Sequence, residues 1–334
     1  MSVNTKLNAR ITATGHYVPD NVIENKYFES YLETSDTWIR DRTGIYERRW
    51  LDKDKPTSFM AIKAIEDCLK NSNTTPEEIE LIIVTTVTPD MMYPSTACVI
   101  QNQMGMKNAW GFDLSAACSG FLFGLNTAAQ FIRTGVHKKV IVVGADKMSS
   151  IINPEDRNTV ILFGDGAGAV LLEPTEDLST GILDSILHID GSGEQYLNQR
   201  AGGSLHPATY ETIDKKMHYV HQEGKAVFKV AVIGMAEVSY EIMEKNNLKS
   251  DDIAWLVPHQ ANLRIISACA DRMGLGMDKV MVNINKYGNT TSGTIPICLS
   301  EWYKNGKLKK GDNIVLASFG AGYTWGAILV KWDI

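Results

Sequence analysis

Short apolar runs alternate with longer helical stretches along this chain. An acidic turn leads into a β-rich run within 75–87, the apolar stretch 119–135 ends at a glycine, and a second β-rich run follows at 138–146. Short apolar runs bounded by turn residues are typical of buried strands, whereas an apolar stretch as long as 119–135 is typical of a buried helix. Strands that alternate with helices predict an α/β protein.

The same order of elements occurs twice in the sequence. Ile79 in the first acidic turn matches Ile253, about 174 positions later. The matching segments are 75–87 with 250–262, 119–135 with 292–306, 138–146 with 312–320, and 166–173 with 325–332. We therefore predict two similar halves packed together, an N-terminal half over 1–175 and a C-terminal half over 176–334.

Two polar stretches, 147–163 and 188–222, interrupt the repeated pattern, and several glycines break the second one. Long connections in a compact protein are usually binding loops or lids. The alternative is a solvated excursion on the surface.

Composition excludes several classes of protein. With 334 residues, of which 44% are hydrophobic, the chain can bury a large core. Its net charge of −6 argues against a nucleic acid or an anionic membrane as the main partner. The N-terminus lacks the apolar segment of a signal peptide, and no apolar run approaches the roughly 20 residues of a membrane span. We expect a cytoplasmic protein.

The cysteines carry a further prediction about compartment and chemistry. There are five of them: Cys68, Cys98, Cys118, Cys269 and Cys298. An odd number without closely spaced Cys or His pairs favours a reducing compartment and argues against structural zinc. We expect all of them except Cys118 to be packing residues.

Cys118 stands where a short apolar strand runs through small residues into a long apolar helix, in the segment 113–125. A helix N-terminus stabilises an anion, so this thiol is expected to ionise readily and act as a nucleophile. On this segment alone, the alternative is a small core hydrophobe, since cysteine is often buried.

Two other residues occupy similar junctions. His259 follows a predicted strand that ends at Pro258, at the edge where open α/β sheets bind ligands. Asn289 follows Gly288 and precedes a helix. Taken singly, the histidine could be structural and the asparagine an N-cap. Because the repeat makes the junctions equivalent, we expect Cys118, His259 and Asn289 to converge as a nucleophile, a proton-handling group and an amide donor.

Four segments around these residues carry a family resemblance: DLSAACSGF, LFGDGAGAVLLE, WLVPHQANLR and GNTTSG. In this order and spacing they resemble the thiolase superfamily and, within it, the β-ketoacyl-acyl carrier protein synthase III family. The resemblance extends over 34–327. It implies a layered αβαβα thiolase-like fold and the initiating, decarboxylative Claisen condensation of fatty-acid synthesis. Elongating relatives combine the cysteine with two histidines, and degradative thiolases use a second cysteine. This chain has neither pattern.

The resemblance implies a role for each central residue. Cys118 would take the acyl group of an acyl-CoA primer and release CoA. His259 and Asn289 would hydrogen-bond the thioester carbonyl of malonyl-acyl carrier protein as carbon dioxide leaves. The backbone N–H groups of Cys118 and Ala321 would form a second oxyanion hole. Ala321 replaces a glycine that is usual in the family. No metal or organic cofactor is expected, and the CoA thioester counts as a substrate.

Further positions match the family's binding residues. Trp38 and Arg157 would sandwich adenine, with Arg42 near the phosphates, since aromatic and guanidinium planes both stack on a purine. The other matches are Gly224 and Asn262 in the pantetheine tunnel, Phe319 beside the cysteine, and Tyr93, which crosses a homodimer interface to the partner's acyl pocket.

An acidic carrier protein requires local positive charge on this acidic chain. Lys229, Arg264 and Arg272 match the family's docking patch, although Asp271 replaces a base beside Arg272. Two other functions remain open. One is a synthase III-like acyltransferase or ketosynthase that makes a polyketide or quinolone. The other is a noncatalytic partner subunit, against which the intact Cys118, His259 and Asn289 argue.

Overall fold

The computed structural model describes residues 6–334, which form two main β-sheets and the helices that cover them. The strands are β1 (Asn8–Tyr17), β2 (Val22–Glu24), β3 (Glu47–Arg49), β4 (Leu81–Thr85), β5 (Trp110–Leu114), β6 (Val140–Asp146), β7 (Gly166–Thr175), β8 (Gly181–Ile189), β9 (Leu197–Gln199), β10 (Val220–Gln222), β11 (Trp255–Pro258), β12 (Asn313–Gly320) and β13 (Thr324–Lys331). The α-helices are α1 (Asn25–Glu29), α2 (Asp36–Thr43), α3 (Thr57–Lys70), α4 (Thr96–Gln103), α5 (Gly120–Arg133), α6 (Arg157–Val160), α7 (Tyr210–Asp214), α8 (Gly224–Lys245), α9 (Leu263–Met273), α10 (Ile284–Tyr287) and α11 (Thr294–Lys304).

The two sheets share one topology over four strands. The first sheet has the order β1-β7-β6-β4-β5, and the second has the order β8-β13-β12-β11. In each sheet the first two pairings are antiparallel and the third is parallel. The boundary proposed after residue 175 falls between β7 and β8. The shared topology supports the proposal that 1–175 and 176–334 are two similar halves.

Alternating side chains on the strands divide the protein into layers. Ile83 of β4 and Leu316 of β12 face a common core with α5 and α11 between the sheets. Ile82, on the opposite face of β4, packs towards α3 and α4. Val315 faces α8 and α9 on the other side. Helices therefore lie outside and between the sheets, and the predicted αβαβα arrangement is confirmed.

The halves touch closely where β6 meets the turn before α11. A Cβ atom on Gly144 of β6 would lie 2.4 Å from the carbonyl oxygen of Ser292. No real Cβ contact is that short, so only glycine allows the two backbones to approach this far. This contact brings the turn that carries Asn289 against the end of the first sheet.

The two polar insertions fold over one end of the sheets. The first contributes α6, and the second contributes α7 and the small antiparallel pair of β9 and β10. Met148, Leu197 and Val220 from these insertions line the main cavity. Parts of both insertions therefore line a cavity, as expected of binding loops, whereas Leu205 in the second insertion is exposed.

The prediction for the cysteines holds at three of four positions. Cys68, Cys269 and Cys298 are buried, but Cys98 is exposed. Cys98 occupies the outer side of α4, whose Ala97 turns towards the core instead. No helix in residues 6–334 is long and apolar enough to cross a membrane.

Candidate active site

Cys118 lies in a short 3-10 turn between β5 and α5, at the predicted junction. Its neighbour Ala117 has a φ of 47°, a left-handed conformation that costs roughly 1–2 kcal/mol for a residue with a Cβ atom. The Ser318 hydroxyl donates a 2.8 Å hydrogen bond to the carbonyl of Cys118. The Thr324 hydroxyl likewise donates to the carbonyl of Ala116 over 2.9 Å. These bonds fix the strained turn to the second sheet.

The thiol of Cys118 is more resistant to ionisation than its position suggests. Burial raises its pKa to about 12, and the Asp146 carboxylate adds to the increase. The backbone N–H of Cys118 and the Asn289 side chain oppose this increase in pKa. The expectation of a readily ionised thiol is therefore wrong, because desolvation of the thiolate outweighs its stabilisation at the helix N-terminus. At neutral pH the thiol is therefore protonated.

His259 follows β11, and its backbone N–H donates to the carbonyl of Ala317 over 2.8 Å. Burial lowers the pKa of its imidazole to about 3, so the ring is neutral at physiological pH. Its Nδ1 atom lies 2.8 Å from the Thr294 hydroxyl oxygen. Its Nε2 atom is buried and has no hydrogen-bond partner among the described residues. This ring nitrogen is therefore available to a ligand that enters the site.

Asn289 is held by its backbone and its side-chain oxygen. Its N–H donates to the Leu162 carbonyl over 2.9 Å, and its own carbonyl accepts from Gly164 over 3.0 Å. Its Oδ1 atom accepts a 2.8 Å bond from the N–H of Thr291. Since α11 begins only at Thr294, Asn289 is not the N-cap of that helix. Its side chain instead reaches Cys118, where it lowers the thiol pKa.

A buried carboxylate ties this turn to the first sheet. Asp146, the last residue of β6, accepts from the hydroxyl of Ser292 over 2.7 Å and from its N–H over 3.1 Å. Its other oxygen accepts from the Thr86 hydroxyl over 3.0 Å and the Val87 N–H over 2.8 Å. Burial raises the pKa of Asp146. Asp146 was not predicted from the sequence, although a charged residue at the end of an otherwise apolar strand could have indicated it.

The three central residues open into one cavity of about 1060 Å³. Its walls contain most of the predicted site residues: Trp38, Arg42, Cys118, Gly224, His259, Asn262, Arg264, Asn289, Phe319 and Ala321. Tyr93, Arg157, Lys229 and Arg272 lie outside its walls. Cys118, His259 and Asn289 are buried, whereas Arg42, Gly224 and Arg264 are exposed. The cavity therefore runs from a polar mouth to a buried reactive end.

The residues predicted for CoA lie together at the mouth. The guanidinium carbon of Arg157 lies 5.0 Å from the centre of the Trp38 ring, and that of Arg42 lies 5.8 Å from it. The Asn262 amide donates to the Arg42 carbonyl over 2.9 Å. A purine between two planes needs about 7 Å, twice an ordinary contact distance. The 5.0 Å between the Arg157 guanidinium and the Trp38 ring is less than this, so an adenine sandwich requires one of them to move.

The two residues predicted for the acyl pocket have different positions. Phe319 lines the cavity and packs against Tyr323, with ring centres 5.0 Å apart. Tyr93 is 86% exposed and lies outside the cavity of its own chain.

The three predicted docking residues differ in how their charges are used. Lys229 and Arg264 are exposed on α8 and α9. Arg272 makes two bonds to Glu237, of 2.9 and 3.0 Å, and lies 3.6 Å from the Tyr240 ring centre. The charge of Arg272 is therefore already paired with a carboxylate. Lys229 and Arg264 are the two predicted docking residues whose positive charges are not paired in this way within residues 6–334.

Comparison with known proteins identifies the family. The family model described as 3-oxoacyl-[acyl-carrier-protein] synthase III matches residues 112–191, and the model of its C-terminal part matches residues 243–332. The chain is 57% identical to β-ketoacyl-[acyl-carrier-protein] synthase III of Chlorobium luteolum, over 98% of this chain and 100% of that protein. The synthase of Chlorobaculum tepidum is 56% identical with the same coverage.

Solved structures agree with the sequence relatives. The crystal structure of 3-oxoacyl-[acyl-carrier-protein] synthase III from Aquifex aeolicus is similar with a TM-score of 0.89 at 43% identity, covering 97% of this chain and 100% of that one. The priming β-ketosynthase of the R1128 polyketide pathway has the same TM-score of 0.89 at 32% identity, covering 97% and 96%. With its fold, its site and its relatives in agreement, the chain belongs to the β-ketoacyl-acyl carrier protein synthase III family of thiolase-fold condensing enzymes.

Proposed function

We propose that this protein condenses an acyl-CoA primer with malonyl-acyl carrier protein, giving β-ketoacyl-acyl carrier protein, CoA and carbon dioxide. This is the initiating condensation of type II fatty-acid synthesis. One observation carries the proposal: a thiol, a neutral imidazole and a carboxamide meet at the buried end of a single cavity. The presence of Cys118, His259 and Asn289 together at this end argues against a noncatalytic subunit.

The first half-reaction transfers the acyl group to Cys118. The sulfur attacks the thioester carbonyl of the primer, its proton passes to the departing CoA sulfur, and an acyl-enzyme forms. The N–H groups of Cys118 and Ala321 would stabilise the tetrahedral oxyanion. Gly320 favours this arrangement, because a Cβ atom there would lie 2.7 Å from the Cys118 nitrogen. The glycine keeps the space in front of that N–H open.

The second half-reaction uses His259 and Asn289. Loss of carbon dioxide from the malonyl group places negative charge on the thioester oxygen. The Nε2 atom of His259 and the amide nitrogen of Asn289 would donate hydrogen bonds to it. Fixed donors in a water-poor site stabilise such charge far more than water does, because they need no reorganisation. The carbanion then attacks the acyl group on Cys118.

The mouth of the cavity suits the two substrates in different ways. Trp38, Arg42 and Arg157 offer a flat aromatic surface and two guanidinium groups to the nucleotide end of CoA. Arg264 lines the cavity, Lys229 follows the first turn of α8, which also lines it, and both are exposed, as docking of an acidic carrier protein requires. The reaction needs no metal or organic cofactor. We place it in the cytoplasm, where the free cysteines stay reduced.

A homodimer would complete the acyl pocket. Strand β5 lies at the edge of its sheet and packs against α4, and Met92 and Tyr93 in the segment before α4 are 76% and 86% exposed. An edge strand can pair with its copy across a twofold axis, which joins two sheets and covers such a surface. Tyr93 would then enter the partner's cavity.

The division of labour at the reactive end gives one prediction. Cys118→Ala should abolish acylation and condensation. His259→Ala or Asn289→Ala should retain acylation while condensation falls about 10²-fold or more, the scale of losing one oxyanion donor. Mass spectrometry of the intact protein after mixing with acyl-CoA measures acylation, and product formation measures condensation. Cys98→Ala, which removes an exposed thiol, is the control. A normal acyl adduct on the Cys118→Ala protein would refute the assignment of the nucleophile.

Charge at the mouth separates the two substrates. Lys229→Glu and Arg264→Glu should raise KM for malonyl-acyl carrier protein much more than KM for the primer, because rim charges act mainly on association of the charged partner. Salt should have the same selective effect, since about 0.1 M salt screens exposed charges beyond roughly 10 Å. Trp38→Ala should instead raise KM for the primer. Lys70→Glu, at the end of α3 in the opposite outer layer, controls for net charge. Equal losses for both substrates would exclude a docking role.

The dimer is tested by placing a charge on the exposed apolar surface. Met92→Asp should weaken association and reduce activity, because a carboxylate would be buried at the interface without a partner. Leu205→Asp makes the same change at an equally exposed residue, 77% compared with 76%, and should have no effect on association. Light scattering with activity measurements distinguishes the two. A fully active monomeric wild-type protein would contradict the proposal.

A further inference from the structure

The imidazole of His259 contacts one side chain that the reaction scheme leaves without a role. The hydroxyl oxygen of Thr294, the first residue of α11, lies 2.8 Å from Nδ1 of His259. The same oxygen lies 3.1 Å from the carbonyl oxygen of Thr291. Both Thr294 and His259 are buried. Water therefore does not compete for these contacts.

A neutral imidazole has one N–H group, and its position decides what the ring can do. Burial lowers the pKa of His259 to about 3, so the ring stays neutral in any ordinary working range of pH. The group bonded to one ring nitrogen then determines which nitrogen carries the proton. Among the hydrogen bonds in residues 6–334, the only one that involves the His259 ring joins Nδ1 to the Thr294 hydroxyl.

The hydroxyl of Thr294 has one hydrogen and two acceptors within reach. If it donates to the Thr291 carbonyl, it can only accept from His259, so Nδ1 carries the proton and Nε2 is a bare lone pair. If it donates to Nδ1 instead, the proton must lie on Nε2. The contact with Nδ1 is the shorter of the two, at 2.8 Å compared with 3.1 Å.

Only the second arrangement fits the reactive end of the cavity. Nε2 is buried and has no partner among the described residues, and His259 lines the cavity. A bare nitrogen there would turn a lone pair towards a developing oxyanion and repel it. We propose that Thr294 is a positioning residue whose hydroxyl donates to Nδ1 and thereby keeps the imidazole proton on Nε2, where it faces the malonyl thioester oxygen. This inference rests on the proposed function for the identity of that oxygen.

Kinetics of the two half-reactions test the role of the hydroxyl. Thr294→Val keeps the shape and burial of the side chain but removes the donor. We expect condensation to fall about tenfold, which corresponds to roughly 1.4 kcal/mol, while acylation of Cys118 stays within about twofold. Thr294→Ser, which restores a hydroxyl, should recover most of the condensation rate. Thr14→Val is the matched control, because the Thr14 hydroxyl is equally buried and has no partner among the described residues.

A purely structural role for Thr294 would give a different pattern. In that case Thr294→Val would reduce both half-reactions together and lower the free energy of unfolding, and the balance between them would not change. That pattern, or unchanged condensation in a folded Thr294→Val protein, would overturn the proposal.

¹⁵N NMR of the full-length protein with ¹⁵N-labelled histidine determines the tautomer of His259 independently of any activity measurement. The His259 signals are assigned as those lost in His259→Ala. We expect the wild-type protein to show a protonated Nε2 and an unprotonated Nδ1 that accepts a hydrogen bond, and Thr294→Val to show a larger share of the other tautomer. A proton on Nδ1 in the wild-type protein would refute the proposal. Absence of acyl-enzyme in the wild-type protein would instead refute the proposed function.

Discussion

The reactive end depends on the contact between the end of β6 and the turn that precedes α11. Gly144 lets the carbonyl of Ser292 approach, and Asp146 accepts two hydrogen bonds from the same serine. This turn carries Asn289, and the helix after it provides the hydroxyl that meets His259. Cys118, by contrast, follows β5 at the end of the first sheet. Without a rigid contact between the halves, the thiol and the two donors would have no fixed geometry.

Burial shifts the pKa values of Cys118 and His259 in opposite directions, and both shifts favour the neutral form of the side chain. It keeps the thiol of Cys118 protonated and the imidazole of His259 neutral, so the resting site carries neither a thiolate nor an imidazolium. A neutral imidazole cannot attract the oxyanion as a full charge would, so in the proposed mechanism it would act through a directed N–H instead. The same exclusion of water makes such hydrogen bonds strong, which is the condition for stabilising negative charge on a thioester oxygen.

Local sequence predicted the positions of the three central residues well, because each stands at a junction with a recognisable segment around it. Properties that depend on distant contacts were not predictable. The pKa of Cys118 follows from burial by both halves. Arg272 is neutralised by Glu237, which lies on another helix. Cys98 is exposed because α4 turns its other side to the core. Each of these outcomes is set by how elements pack, which no single segment specifies.

The central claim is that the contact between Asp146 and Ser292 positions the donors for condensation. A double-mutant cycle with Asp146→Asn, Ser292→Ala and the double variant measures it most directly, with acylation and condensation followed separately. We predict that each single variant slows condensation more than acylation, and that the effects on condensation are not additive, with a coupling of about 0.5–3 kcal/mol. Additive effects that reduce both half-reactions equally would contradict it.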